Sequence, residues 1–359
     1  MTTQGRAPVA QGRQESTAVA TAGATPDAAG SALLEVRDLH VRFLSAGRQV
    51  HAVRGLSFQV SARGVLAVIG ESGSGKTVSA RAVMGLLPRT ATVSGSARLQ
   101  GKELVGLSER QMRLHRGRDL AMVFQNPERS LNPTMRIGRQ ITEAIRTHLD
   151  MNKRQADERA LELLRLVRIP APRQRFDEYP HRLSGGMRQR VMIAMALACE
   201  PKVLFADEAT TALDVTTQAQ IMELLADIQD QLGMALVLIS HDLGLAASYT
   251  NEVVVMYAGR AMEHAPTLEL FAHVRVPYTR ALLDAVPRLD RDPHSPLPRL
   301  EGRPPDLSED IPGCAFAPRC PRVDNDCRSE APDLELHDRD HSWACWHPLG
   351  DSTETDNGV

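Results

Sequence analysis

Gly70-Glu71-Ser72-Gly73-Ser74-Gly75-Lys76-Thr77 has the residue types and spacing to cradle phosphate. Its glycines let backbone N–H groups curl round an anion without Cβ clashes. A helix opening behind the loop adds its positive end. Lys76 is placed to reach the β- and γ-phosphates of a nucleotide, and the Thr77 hydroxyl to ligate Mg2+. Such a site also needs a carboxylate at a strand end, and Val203-Leu204-Phe205-Ala206-Asp207-Glu208 supplies two. Asp207 is suited to hold the Mg2+ water shell, and Glu208 to orient or deprotonate an attacking water. An apolar run ending in Asp-Glu says little alone, since many strands end in acidic caps; the glycine loop gives it weight.

A second group suits metal chemistry. Cys314, Cys320, Cys327 and Cys345 have five, six and seventeen residues between them. Four neighbouring thiols in a reducing compartment suit a soft metal. The short Cys-x2-Cys knuckle of a zinc ribbon is absent, and the wider spacing fits four thiolates round an iron–sulfur cluster. Spacing alone does not separate iron from zinc; free thiols and disulfides are the remaining readings. Trp343 and Trp346 flank Cys345 and would shield a buried group, or simply form a small core. Cys199, after the apolar stretch 191–198, reads as a buried small hydrophobe.

The elements that must position these groups follow from patterning. The chain has 359 residues, 42% hydrophobic and 24% charged, enough for a large α/β domain and a smaller second unit. A formal net charge of -2 gives no positive field to draw it to nucleic acid or anionic lipid. No apolar run approaches the roughly 18–20 residues needed to span a bilayer, and residues 1–30 lack the apolar core of a signal peptide. A cytosolic protein is expected, reaching any membrane through a partner. Residues 1–32 hold too little apolar bulk to order, and 349–359 read as an acidic tail. Leu34-Glu35-Val36-Arg37 and Leu39-His40-Val41-Arg42-Phe43 alternate like strands with one wet face. Val65-Leu66-Ala67-Val68-Ile69, just before the glycine loop, reads as a strand buried on both faces of a parallel sheet, as do 203–206 and 236–239. Residues 134–180 are helical in pattern, with Ile141, Ile145 and Leu149, then Leu161, Leu164 and Val167, on single faces. Residues 291–313 read as a linker and 314–348 as a cysteine unit.

Leu183-Ser184-Gly185-Gly186-Met187-Arg188-Gln189, one helix before Asp207, resembles the signature motif of ABC ATPases. The resemblance spans 33–290 and implies a P-loop NTPase cassette: a RecA-like core with an antiparallel β subdomain and a helical subdomain. It implies ATP and Mg2+ as ligands. It implies also that Ser184, Gly185 and Gly186 dock on the γ-phosphate of an ATP held by a second cassette. Gln125 resembles the Q-loop glutamine, which implies contact with Mg2+ or its water and with the membrane partner; Asp214 resembles the D-loop aspartate, and His241 in Ser240-His241-Asp242 the switch histidine, which implies a hydrogen bond to the γ-phosphate. Phe43 stands where the family stacks an aromatic on adenine. The family usually has Pro after the glutamate; Ala209 here should loosen that turn slightly without removing chemistry.

Asn126-Pro127-Glu128-Arg129-Ser130-Leu131-Asn132-Pro133 resembles the extended Q-loop of peptide and nickel importer ATPases. Glu269-Leu270-Phe271 with Pro277-Tyr278-Thr279 resembles their C-terminal extension, although Val276 replaces a usual His. The cysteines resemble the oligopeptide/dipeptide transporter motif, which implies a [4Fe–4S] cluster, with zinc as the alternative. The implied assembly is a paralogous or identical second ATPase subunit, two membrane permease subunits and an extracytoplasmic binding protein, with this chain peripheral on the cytoplasmic face. Nickel chelates and glutathione are handled by similar ATPases. Soluble ABC ATPases of translation or repair carry two cassettes or a long coiled coil, and this chain has neither.

Overall fold

The structure, a computed structural model, describes Met1 and residues 32–45, 47–210, 213–286, 300–338 and 340–350. The expected tails lie almost wholly outside these residues, as do 291–299 of the expected linker and Ala212 beside the D-loop. The strands are β1 Leu34–Ser45, β2 Arg48–Val60, β3 Val65–Ile69, β4 Ala91–Leu99, β5 Lys102–Glu103 and β6 Leu120–Val123. They continue as β7 Val203–Asp207, β8 Ala235–Ser240, β9 Glu252–Tyr257, β10 Arg260–Pro266, β11 Glu335–Asp338 and β12 His341–Trp343.

β3, β7 and β8 are apolar up to their last residues at most, and they form the buried centre of an eight-stranded sheet ordered β11-β12-β10-β9-β3-β8-β7-β6. The run from β9 to β6 is parallel. Register decides where the chemistry lies. Ile69 pairs with Ser240, and Asp207 with Ile239, so all three strands end on one rim. The glycine loop, Glu208 and His241 leave that rim side by side, at the carboxyl ends of the strands where open α/β sheets bind ligands. A second, antiparallel sheet, β2-β1-β4-β5, presents Leu34 and Val36, then after a break in register Leu39 and Val41, to the core.

The helical reading of 134–180 matches helices Ile137–His148, Lys153–Leu166 and Pro172–Phe176. Ile137, Ile141 and Ile145, one turn apart, are fully buried against Ala156, Ala160, Leu163 and Leu164. Each such side chain contributes roughly 2–3 kcal/mol on burial. The same core runs on through Val191, Ile193 and Ala194 of the signature helix Gly185–Ala196 to Leu204 and Leu236 of the central sheet. The helices are therefore fastened to the sheet through the signature motif.

The cysteine segment extends the main sheet: β12 pairs with β10 at Glu263↔Trp343, and β11 pairs with β12. Glu263, fully buried, accepts from the Arg275 and Val276 amides at 2.7 and 3.3 Å and pairs with buried His341 at 2.8 Å. The described part of the linker lies against β2, where the His51 amide donates to the Leu307 carbonyl at 3.0 Å. Its Pro and charge content marks a lack of regular structure of its own, not a lack of attachment. Among the described residues no helix is long and apolar enough to cross a membrane.

Candidate nucleotide-binding site

Gly70, Gly73 and Gly75 have φ of 150°, 81° and 100°. A Cβ on Gly70 would stand 2.1 Å from the Met256 carbonyl oxygen, and one on Gly75 2.6 Å from that of Ala52, so no larger residue makes this turn unstrained. Gly75 opens the helix Lys76–Val83. Lys76 is buried, and its Nζ donates to the carbonyls of Gly70 and Glu71 at 2.7 and 2.8 Å. Burial pushes its pKa down, against the pull of the Glu208, Asp207 and Glu71 charges. The loop thus holds its cation in place with its own carbonyls.

Thr77 Oγ1 donates to Asp207 Oδ1 at 2.6 Å, and Arg81 stands 3.9 Å from the other carboxylate oxygen. Asp207 is buried, and burial pushes its carboxyl above the ordinary range despite the Thr77 bond. A hydroxyl against a desolvated carboxylate is a donor set that fits a hard cation such as Mg2+. Next in the chain, Glu208 takes φ 46°, a left-handed conformation that costs a residue with a Cβ about 1–3 kcal/mol. Its amide is fixed by a 2.9 Å bond to the Ile239 carbonyl. Its carboxylate accepts from Gln125 Nε2 at 2.6 Å and lies 3.6 Å from His241 Nδ1. The structure brings Gln125, Glu208 and His241 together, and the glutamine expected at Mg2+ or its water here donates to the Glu208 carboxylate. Ala209, where the family usually has Pro, is buried.

The signature residues form a second cluster. Ser184 caps its helix by accepting from the Met187 amide at 3.3 Å. Asp214 caps the helix Val215–Leu232 by accepting from the Thr217 amide at 2.9 Å, which lowers its pKa. A Cβ on Gly186 would meet Thr217 Cγ2 at 2.8 Å, so this glycine permits the two helices to touch. Ser184, Gly185 and Asp214 are exposed. Among the described residues no hydrogen bond joins them to the Lys76 loop. Phe43 is half-buried on β1, opposite Val50 and Ala91, and packs on the core.

Several supporting groups were not legible in sequence. Arg188 of the signature helix pairs with Glu128 of the extended Q-loop, and donates to the Pro180 carbonyl at 3.0 Å. Gln140, buried, takes the Asn132 amide at 2.9 Å and donates to the Asn132 and Met135 carbonyls, pinning the same loop. Tyr278 Oη accepts from the Glu71 amide at 3.0 Å, and Arg319 forks onto the Glu71 carboxylate at 2.6 and 3.0 Å. Partners 60, 207 and 248 residues apart leave no local pattern to read.

All four late cysteines line one pocket, walled by Met262, Val276, Phe316 and Trp346, and none is disulfide-bonded. Burial raises each thiol pKa, and Cys345 is pushed up to about 11, with the other three thiols adding to the effect. Four thiols facing one desolvated pocket fit a soft-metal group. Asp324 and His347 stand beside Cys327, with ligand atoms of the three within 4.8 Å of one another. Of the two tryptophans, Trp346 lines the pocket, whereas Trp343 stacks on His337 at 4.0 Å. Cys199, expected to be buried, packs on the helical core but is only half-buried.

Comparison with known proteins agrees with this geometry. The family profile described as "ABC transporter" matches residues 53–211, and "Oligopeptide/dipeptide transporter, C-terminal region" matches 262–327. A probable peptide ABC transporter ATP-binding protein of Sinorhizobium fredii is 48% identical over 316 residues, 88% of this chain and 94% of its own. The dipeptide transport ATP-binding protein DppD of Bacillus subtilis is 45% identical over 316 residues, with the same two coverages, 88% and 94%. In fold, a dimeric post-hydrolysis ATP-binding cassette bound to ADP and Pi superposes with a TM-score of 0.59 at 23% identity, covering 65% of this chain and 98% of that one.

Proposed function

The chain belongs to the ATP-binding proteins of peptide ABC transporters, and from that premise we propose that it binds and hydrolyses ATP to power import of di- or oligopeptides across the cytoplasmic membrane. The observation that carries the reading is the convergence of Lys76, Thr77–Asp207 and Gln125–Glu208–His241 on one sheet rim. Lys76 and the loop amides hold the β- and γ-phosphates, Thr77 and Asp207 hold the Mg2+ that arrives with ATP, and Phe43 stacks on the adenine. Glu208 orients the attacking water, and the Gln125 amide and His241 keep that carboxylate in place.

Ser184, Gly185 and Asp214 face outward and, with Gly186 behind them, serve a second ATPase subunit, a paralogue or another copy, whose own signature closes over this ATP. The Arg188–Glu128 pair supports coupling: it ties the signature helix to the extended Q-loop, the surface that meets two permease subunits. An extracytoplasmic peptide-binding protein delivers the cargo, and the chain sits peripherally on the cytoplasmic face. Reconstituted with these subunits, it should show Mg2+-dependent ATPase stimulated by peptide-loaded binding protein. Stimulation by nickel chelate or glutathione and not by peptide would move the cargo assignment, and no ATPase would end the reading.

Cys314, Cys320, Cys327 and Cys345 would hold a [4Fe–4S] cluster, which supplies four-point cross-linking of the C-terminal segment. The convergence of four thiols in one apolar pocket supports this. Anaerobic purification should give brown protein with about four irons per chain; colourless protein with one zinc would make the group a structural zinc site.

A further inference from the structure

The glycine loop carries an acid where it should be unwelcome. Glu71 is the second residue of the phosphate-binding loop, its carbonyl touches Lys76 Nζ at 2.8 Å, and its charge acts on that lysine. A carboxylate beside the seat of a polyphosphate repels it. The structure answers this charge from the far end of the chain. Arg319 lies between Cys314 and Cys320, on the 3-10 turn Ala317–Arg319, and its side chain is 4% exposed. It forks onto both Glu71 carboxylate oxygens, at 2.6 and 3.0 Å. Its remaining donors reach Tyr257 Oη at 3.0 Å and the Glu301 and Leu300 carbonyls at 2.8 and 3.2 Å. All five guanidinium N–H groups are thereby used, which fixes the fork rigidly. Tyr257, Tyr278 and Phe316 pack as a triangle of rings with centroids 4.6–5.5 Å apart; Arg319 lies over two of them, and Tyr278 holds the Glu71 amide. Phe316 also walls the thiol pocket. One rigid path therefore runs from the thiol pocket to the loop.

We propose that Arg319 is a positioning residue for nucleotide: it neutralises and pins Glu71, so that the loop's affinity for a polyphosphate depends on the order of the cysteine segment. The proposal rests on the ATPase reading and adds a device to it. A chain whose thiol pocket is empty or damaged loosens the turn that carries Arg319, uncovers the Glu71 charge and binds ATP more weakly.

The test is titration of the full-length chain with N-methylanthraniloyl-ATP and Mg2+, comparing Arg319→Gln, Arg319→Lys, Glu71→Gln and the double variant Arg319→Gln/Glu71→Gln. Arg319→Gln should raise the Kd about tenfold, within the usual range of coupling between sites. Arg319→Lys, which keeps the charge and loses the fork, should fall between it and the parent. The double variant should return to within about threefold of the parent, because the uncovered charge has gone. In the reconstituted transporter, Arg319→Gln should raise KM for ATP with kcat at saturation preserved, as expected for loss of uniform binding. Cys320→Ser should weaken binding in the parent background and have little further effect in the double variant. An Arg319→Gln chain that binds like the parent, or one that Glu71→Gln fails to rescue, overturns the proposal; the second result would make Arg319 a strut of the cysteine segment only. A parent chain that binds no nucleotide refutes the ATPase reading itself, and this proposal with it.

Discussion

Two glycines of the same loop should respond very unequally to one added methyl group. In Gly70→Ala the new Cβ stands 2.1 Å from the Met256 carbonyl oxygen, about 1.3 Å short of the 3.4 Å at which ordinary contact begins. The obstacle is backbone of a central strand and cannot rotate away. Overpacking of this kind costs about 1–3 kcal/mol, and the left-handed φ adds about 1–3 kcal/mol. A total near 4 kcal/mol corresponds to a fall in Tm of about 5 °C for a chain of this size. In Gly73→Ala nothing lies within 4 Å of the new Cβ, so only the φ of 81° counts. A loss of about 1 kcal/mol, or about 1 °C, follows. Calorimetry or circular-dichroism melts of nucleotide-free protein separate the two. Equal losses at both positions, or a larger loss at Gly73, would refute the packing of the loop against the Met256 carbonyl.

Asp207 gives a pH dependence. Burial raises its carboxyl, so the stability it contributes is complete below the ordinary carboxylate range and is lost as pH rises through the elevated value. Asp207→Asn should therefore raise the nucleotide-free Tm at pH 7, flatten that pH profile, and weaken Mg2+-dependent nucleotide binding; a lower Tm across the range would contradict this. Gly186→Ala places a Cβ 2.8 Å from Thr217 Cγ2 and must push the signature helix off its neighbour. Ordinary contact at 3.4 Å needs a displacement of about 0.6 Å, which should cut ATPase in the assembled transporter about 10- to 100-fold, while the isolated chain binds nucleotide normally; weakened binding by the isolated chain would show that the motif serves its own loop.

Legibility in the sequence followed the range over which each feature is encoded. The glycine loop is a local pattern whose residue types admit few alternatives, the strand-end acids gain their weight from it, and the structure puts both on one rim. The parallel strands were legible because continuous apolar runs such as 65–69 suit only a doubly covered sheet. Boundaries set by tertiary pairing were not: the cysteine segment read as a separate unit, yet β12 pairs with β10 and its His341 meets the buried Glu263. The described part of the linker lies along β2 through backbone bonds that composition does not encode. The same limit hid Arg319, an ordinary arginine by pattern until the fold sets it against Glu71. The one local departure, Ala209, follows a glutamate already held at positive φ by the Ile239 carbonyl, so the turn has an anchor that does not depend on proline.

The central claim is that Glu208 drives hydrolysis of an ATP bound at the Lys76 loop. Glu208→Gln keeps the size and the Gln125 contact surface and removes the charge that would orient or deprotonate water. Measured together in the assembled transporter, ATPase should fall about 100- to 10,000-fold, a barrier increase of about 3–5 kcal/mol, with nucleotide affinity unchanged. A variant that still hydrolyses ATP at the parent rate would contradict the account.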